Sequence, residues 1–118
     1  LTRLAGASPT VDSLPALRKI VAARKQQYER IDRLFSKGVT AAPEHERAKL
    51  EYELSVDRLR QAEHQLELRE SLLALAELDL KTAVEANRKN PGAVPAVELK
   101  RKKILVEIAK AKVRELAD

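Results

Sequence analysis

Apolar residues recur along this chain at alternating three- and four-residue steps, in three stretches separated by two breaks. The first stretch carries Leu14, Leu17, Val21, Arg24, Tyr28, Ile31 and Phe35, an a/d heptad stripe interrupted only by Arg24. Ser13 is a suitable N-cap, and Pro15 is tolerated in the first helical turn, so a helix is expected over 14–36. The second stretch has a seam of Tyr52, Ser55, Leu59, Ala62, Leu66, Arg69, Leu73, Ala76, Leu80 and Ala83. It contains no internal Gly and no Pro beyond its first turn, which predicts one helix over 41–89, roughly 70 Å long. Beside the seam run Leu68, Leu72, Leu75 and Leu78, a second apolar stripe that predicts deeper burial for the later part of this helix. A third helix is expected over 95–116, with Val97, Ile104, Leu105, Ile108 and Ala111 facing inward.

The breaks have their own chemistry. In Lys37-Gly38-Val39-Thr40-Ala41-Ala42-Pro43, Gly38 can adopt the left-handed conformation that ends a helix, and Thr40 can cap the next one. In Asn87-Arg88-Lys89-Asn90-Pro91-Gly92, basic residues meet the negative end of the helix dipole before Pro and Gly stop it. The two breaks belong to a repeat at an offset of 54 residues: Gly38 with Gly92, Glu44 with Glu98, Arg47 with Arg101, Leu50 with Ile104, Leu54 with Ile108. One supersecondary unit used twice specifies the architecture. The expected fold is all-α: antiparallel coiled-coil hairpins sharing one long central helix, in a single helical domain over 13–118 behind a flexible leader over 1–12. A compact three-helix bundle would need the central helix to bend, and its sequence supplies no kink.

Composition narrows the function classes. Charged residues make up 35% and aromatics 3% of 118 residues, with three Gly, the balance of long helices rather than of a β-fold. The absence of Cys removes disulfides, thiolate metal sites and Cys nucleophiles. No apolar run approaches the roughly 20 residues that span a bilayer. A chain opening Leu1-Thr2-Arg3 is what a processed exported protein or an excised segment would show. The net charge of +5 is uneven: +5 over 1–38, −3 over 39–89 and +3 over 90–118. Basic arms that fold back on an acidic middle are expected to pair with it, which argues against nucleic acid as partner.

Individual residues offer little chemistry. His45 and His64 lie about five helical turns apart and cannot share a metal, so Glu44-His45-Glu46 reads as a solvated helix start, with no metal and no cofactor assigned. The carboxylate pairs Glu63/Glu67 and Glu67/Glu70 fall on an exposed face, where they pair with cations one turn away. No nucleophile elbow or Gly-rich phosphate loop is present, and the protein is not expected to be an enzyme. The run Lys100-Arg101-Lys102-Lys103 lacks interleaved aromatics and reads as a helix surface paired with the acidic central helix.

The stretch from Arg30 to Glu44 resembles the α-hairpin tip of HlyD-like periplasmic adaptor proteins, the membrane fusion proteins of tripartite efflux pumps. In that family a helix presents Arg, then Leu four residues later, and enters a Lys-Gly-type turn followed by Ser and an acidic residue. Arg30 and Leu34 match the Arg and Leu, and the Ser position falls on Ala41 beside Thr40. Glu46 to Leu54 and Leu59 to Glu63 are similar to the family's return helix, and the helices also resemble those of TolC-type channels. The resemblance implies a periplasmic or envelope location in a bacterium, a TolC-class outer-membrane channel as protein partner, and a homo-oligomer as the working form. It marks Arg30, Leu34, Lys37, Gly38, Val39, Thr40 and Ala41 as the partner-binding tip. The competing expectation is a stand-alone periplasmic helical spacer, or a metal or stress sensor, with no pump partner.

Overall fold

A computed structural model describes residues 12–118; the leader expected over 1–12 lies outside these apart from Asp12. The described residues form three helices and no strand: α1 (Leu14–Ser36), α2 (Ala42–Lys89) and α3 (Ala96–Ala117). Ser13 caps α1, its hydroxyl accepting from the Ala16 amide at 3.4 Å. α2 begins one residue later than expected. Its cap position is Ala41, whose carbonyl accepts from the His45 amide at 3.2 Å, so the cap falls on Ala41 rather than Thr40. The 48 residues of α2 run without interruption, as a sequence free of internal Gly and Pro requires.

The chain divides into two compact units, the first closing at Leu59 and the second running Arg60–Asp118. Each is a two-helix hairpin, with α1 against the start of α2 in hairpin one and the rest of α2 against α3 in hairpin two. In hairpin one, facing residues lie at equal distances either side of Thr40: Tyr28 stacks on Tyr52 at 5.9 Å and Phe35 on His45 at 4.3 Å. In hairpin two, contacts between α2 and α3 run from the tip toward the helix ends. Lys102 Nζ meets Asp79 Oδ2 at 2.8 Å, Arg69 Nη1 donates to the Lys112 carbonyl at 2.7 Å, and Asn87 brackets Val94.

The seam of α2 is where the periodicity puts it: Tyr52, Leu59, Ala62, Leu66, Arg69, Leu73, Ala76 and Leu80 are half-buried, and Ser55 and Ala83 are buried. Basic arms do pair with acidic α2, through Arg24 with Glu51 and Lys102 with Asp79, while Arg69 with Glu115 runs the other way.

Two expectations fail, for one reason. Leu68, Leu72, Leu75 and Leu78 are 52–62% exposed rather than more deeply buried. On α3, Val97, Ile104, Leu105, Ile108 and Ala111 face outward, and the inward stripe is Leu99, Lys102, Val106, Ala109, Val113 and Leu116. A helix in a hairpin has one neighbour and can bury one stripe against it, so a second stripe is left facing out. Val106 and Leu116 are the buried residues of α3, Leu116 at 1% exposure.

This corrected stripe improves the repeat. Ala48, Tyr52, Ser55 and Leu59 correspond at an offset of 54 to Lys102, Val106, Ala109 and Val113, inward in both hairpins. The outgoing arms instead align at 52, Leu14 with Leu66 and Ile31 with Ala83, because the second turn is two residues longer between matching seam positions.

Candidate functional site

The first tip is ordered by backbone geometry before any side chain contributes. Gly38 has φ +77°, a left-handed conformation that an L side chain adopts at a cost. The Val39 amide donates to the Leu34 carbonyl and the Gly38 amide to the Phe35 carbonyl, both at 2.9 Å, the paired bonds of a Schellman helix end. The Lys37 amide is shared between the carbonyls of Arg33 and Leu34 at 3.2 Å each. Nothing lies within 4 Å of a Cβ built on Gly38, so the turn is open on that side.

Of the expected docking residues, Leu34, Lys37, Gly38 and Val39 are tied together by these bonds. Val39 is 69% exposed, Leu34 and Thr40 are half-buried, and Lys37, Gly38 and Ala41 are exposed. Arg30 stands exposed one turn before Leu34 and lines a shallow polar groove of about 510 Å³ with Ala23, Gln26, Gln27, Glu29 and Arg33. The set forms one surface around the end of α1.

Behind it sits a group the sequence reading did not assemble. His45 is not a solvated helix-start residue: its side chain is 19% exposed, stacked on Phe35 with 6° between the rings. Its Nε2 donates to Asp32 Oδ1 at 2.8 Å, and the Tyr28 ring lies 5.7 Å away, tilted by 30°. The signal was available. Tyr28 and Phe35 are seven residues apart, as are His45 and Tyr52, and an antiparallel pair centred on Thr40 brings those rings together in order.

The second tip uses a different device. Ala93 donates to the Asn90 carbonyl at 2.9 Å across Pro91 and Gly92, and Gly92 has φ +85°, the pattern of a type II turn. Asn87 then closes the loop, its Oδ1 accepting from the Val94 amide at 2.7 Å and its Nδ2 donating to the Val94 carbonyl at 3.1 Å. At the end of α2, Arg88 bonds Glu85, which raises the Arg88 pKa against a small opposing desolvation. In the basic run, Lys102 pairs with Asp79 and Arg101 with Glu98, while Lys100 and Lys103 are exposed.

Among the described residues no group of three or more His, Asp or Glu side chains converges to hold a metal ion, and no helix is long and apolar enough to cross a membrane. Buried side-chain polar atoms in the same residues all have partners; the Ser55 hydroxyl, for instance, donates to the Tyr52 carbonyl at 2.6 Å. Comparison with family models, curated proteins and solved structures gave no match.

Proposed function

We propose that hairpin one is a protein-docking element of an envelope efflux or secretion assembly, acting through its tip as the α-hairpin of a periplasmic adaptor does. The supporting observation is the tip itself: an exposed Val39 and a half-exposed Leu34 on a turn held by its own backbone bonds, with the cation of Arg30 one turn away. A pre-ordered tip loses little conformational entropy on docking. In this reading Leu34 and Val39 enter a groove between helices of a TolC-class channel, Arg30 bonds a carbonyl or carboxylate on the groove's edge, and Gly38 lets the backbones approach closely. The protein works as a homo-oligomer in the periplasm, and it performs no chemistry of its own.

Binding of the purified chain to a purified TolC-class channel, followed by calorimetry or pull-down, tests this. Leu34→Asp is expected to weaken binding at least tenfold, about 1.4 kcal/mol or more, with helicity unchanged by circular dichroism. Arg30→Ala should weaken it by a smaller factor. Binding unaffected by both substitutions, or no binding by the wild type, counts against the docking role.

A further inference from the structure

We propose that the outer face of hairpin two is a self-association surface that takes the same face of a second copy, antiparallel, about a two-fold axis passing near Leu75. This goes beyond the tip reading and stands on different residues.

The face is apolar and uncovered. Leu68, Leu72, Leu75 and Leu78 of α2 and Leu105 and Ile108 of α3 are each about half exposed. Most of them line a groove of about 660 Å³ between the two helices, floored by Ala76 and Ala109. Scattered surface leucines are ordinary, but a contiguous stripe along both lips of a groove is a contact surface.

The fold itself does not demand this face. At the offset of 52, the positions matching Leu68, Leu72, Leu75 and Leu78 in hairpin one are Ala16, Ile20, Ala23 and Gln26. The position matching Leu105, at the offset of 54, is Glu51, which sits within 4 Å of Arg24. Ile108 matches Leu54, so this side of hairpin one holds two large exposed apolar groups, Ile20 and Leu54, where hairpin two holds six.

Charge and area select a second copy as the occupant. The groove's polar members segregate by end: Arg69 and Lys112 at one, Asp79 at the other. A two-fold axis exchanges the ends, which sets Asp79 of each copy toward Lys112 of its mate. Lys112 is exposed, and the Asp79 side chain is still 57% exposed although it already meets Lys102. Six half-exposed residues of this size present on the order of 500 Å². With the groove floor and the stems of Arg69 and Lys112, the face approaches the roughly 800 Å² per partner of a standard interface. An anionic membrane would instead want cations at both ends of the face, and Asp79 opposes that.

Sedimentation velocity on the whole chain, from 1 to about 200 μM, is the test. The wild type is expected to associate in the micromolar range into a species of twice the 13.2 kDa chain mass. Leu75→Glu and Ile108→Glu should each weaken association more than tenfold while helicity stays unchanged. Leu54→Glu, at the repeat position matching Ile108, should leave the dimer intact. Lys112→Glu should weaken the dimer, and adding Asp79→Lys should recover it. The chain has no Cys, so introduced thiols report orientation. Leu75→Cys should cross-link to itself and Thr82→Cys should not, since antiparallel copies hold the latter roughly 20 Å apart. A wild type that stays monomeric, a dimer that survives both Glu substitutions, or efficient cross-linking through Thr82→Cys overturns the proposal. So does a monomer that instead sediments with vesicles of three parts phosphatidylcholine to one part phosphatidylglycerol and loses that binding with Leu75→Glu.

Discussion

Hairpin one and hairpin two share an inward stripe, matched position for position along their return arms, and differ in the residues that fill it and in how each turn is built. Hairpin one fills the stripe near its tip with rings, Tyr28, Phe35, His45 and Tyr52, and ends in a Schellman turn. Hairpin two fills it with aliphatic residues and two bridged cations, Arg69 and Lys102, and ends in a Pro-Gly turn clamped by Asn87. Outside, the contrast reverses: hairpin one is polar beside Arg30, and hairpin two is apolar between Leu72 and Ile108. A repeat preserves what closes the hairpin, because each helix needs one matched stripe to be stable in water. It leaves the turn and much of the outer face free to diverge.

The comparison is sharpened most by cutting the seam itself. Leu116→Ala removes a fully buried side chain and should cost about 3 kcal/mol in urea unfolding. Measured on a Leu75→Glu background to exclude association, Ile108→Ala should cost under about 0.5 kcal/mol. Equal costs for the two would mean that the inward stripe of α3 has been assigned to the wrong residues. Next in size, Asn87→Ala strips both polar groups of Val94 of their partner and should cost about 2 kcal/mol. Phe35→Ala at the other tip loses a ring that is more than a third exposed and should cost about 1 kcal/mol.

Gly38→Ala and Gly92→Ala should each cost about 1 kcal/mol. Both residues have positive φ and open space around a built Cβ, so backbone strain is the whole effect. Matching losses would confirm that the two turns, built differently, ask the same of their glycine; a much larger loss at one would reveal an unseen contact. The smallest effects belong to the cross-helix ion pairs. Glu51→Gln and Asp79→Asn should each change stability by less than about 1 kcal/mol, falling further in high salt, because both pairs are solvent-facing.

Much of this was legible along the chain. The bounds of α1, the continuity of α2 and the ten-residue seam from Tyr52 to Ala83 follow from periodicity and from where Gly and Pro stand. So did the positive φ of Gly38. The inward face of α3 was not legible, because two stripes there satisfy helical spacing. Val97, Ile104 and Ile108 are as apolar as Leu99, Val106 and Val113. At the first tip, Arg30, Leu34 and Gly38 were marked by the family resemblance, and the Schellman turn around Gly38 holds Leu34 and Val39 together. The Phe35, His45 and Asp32 group was missed because its members meet only when two helices pair.

The order and extent of the helices, and the repetition of one hairpin, were determined by sequence alone, since propensity, caps and breakers act between near neighbours. Which apolar stripe faces inward was decided by the tertiary structure. The turn between Lys89 and Ala96 sets the register of α3 on α2, and that register admits a single stripe to the seam. The leucines left outside follow from the same geometry, because a helix with one neighbour has one face to hide.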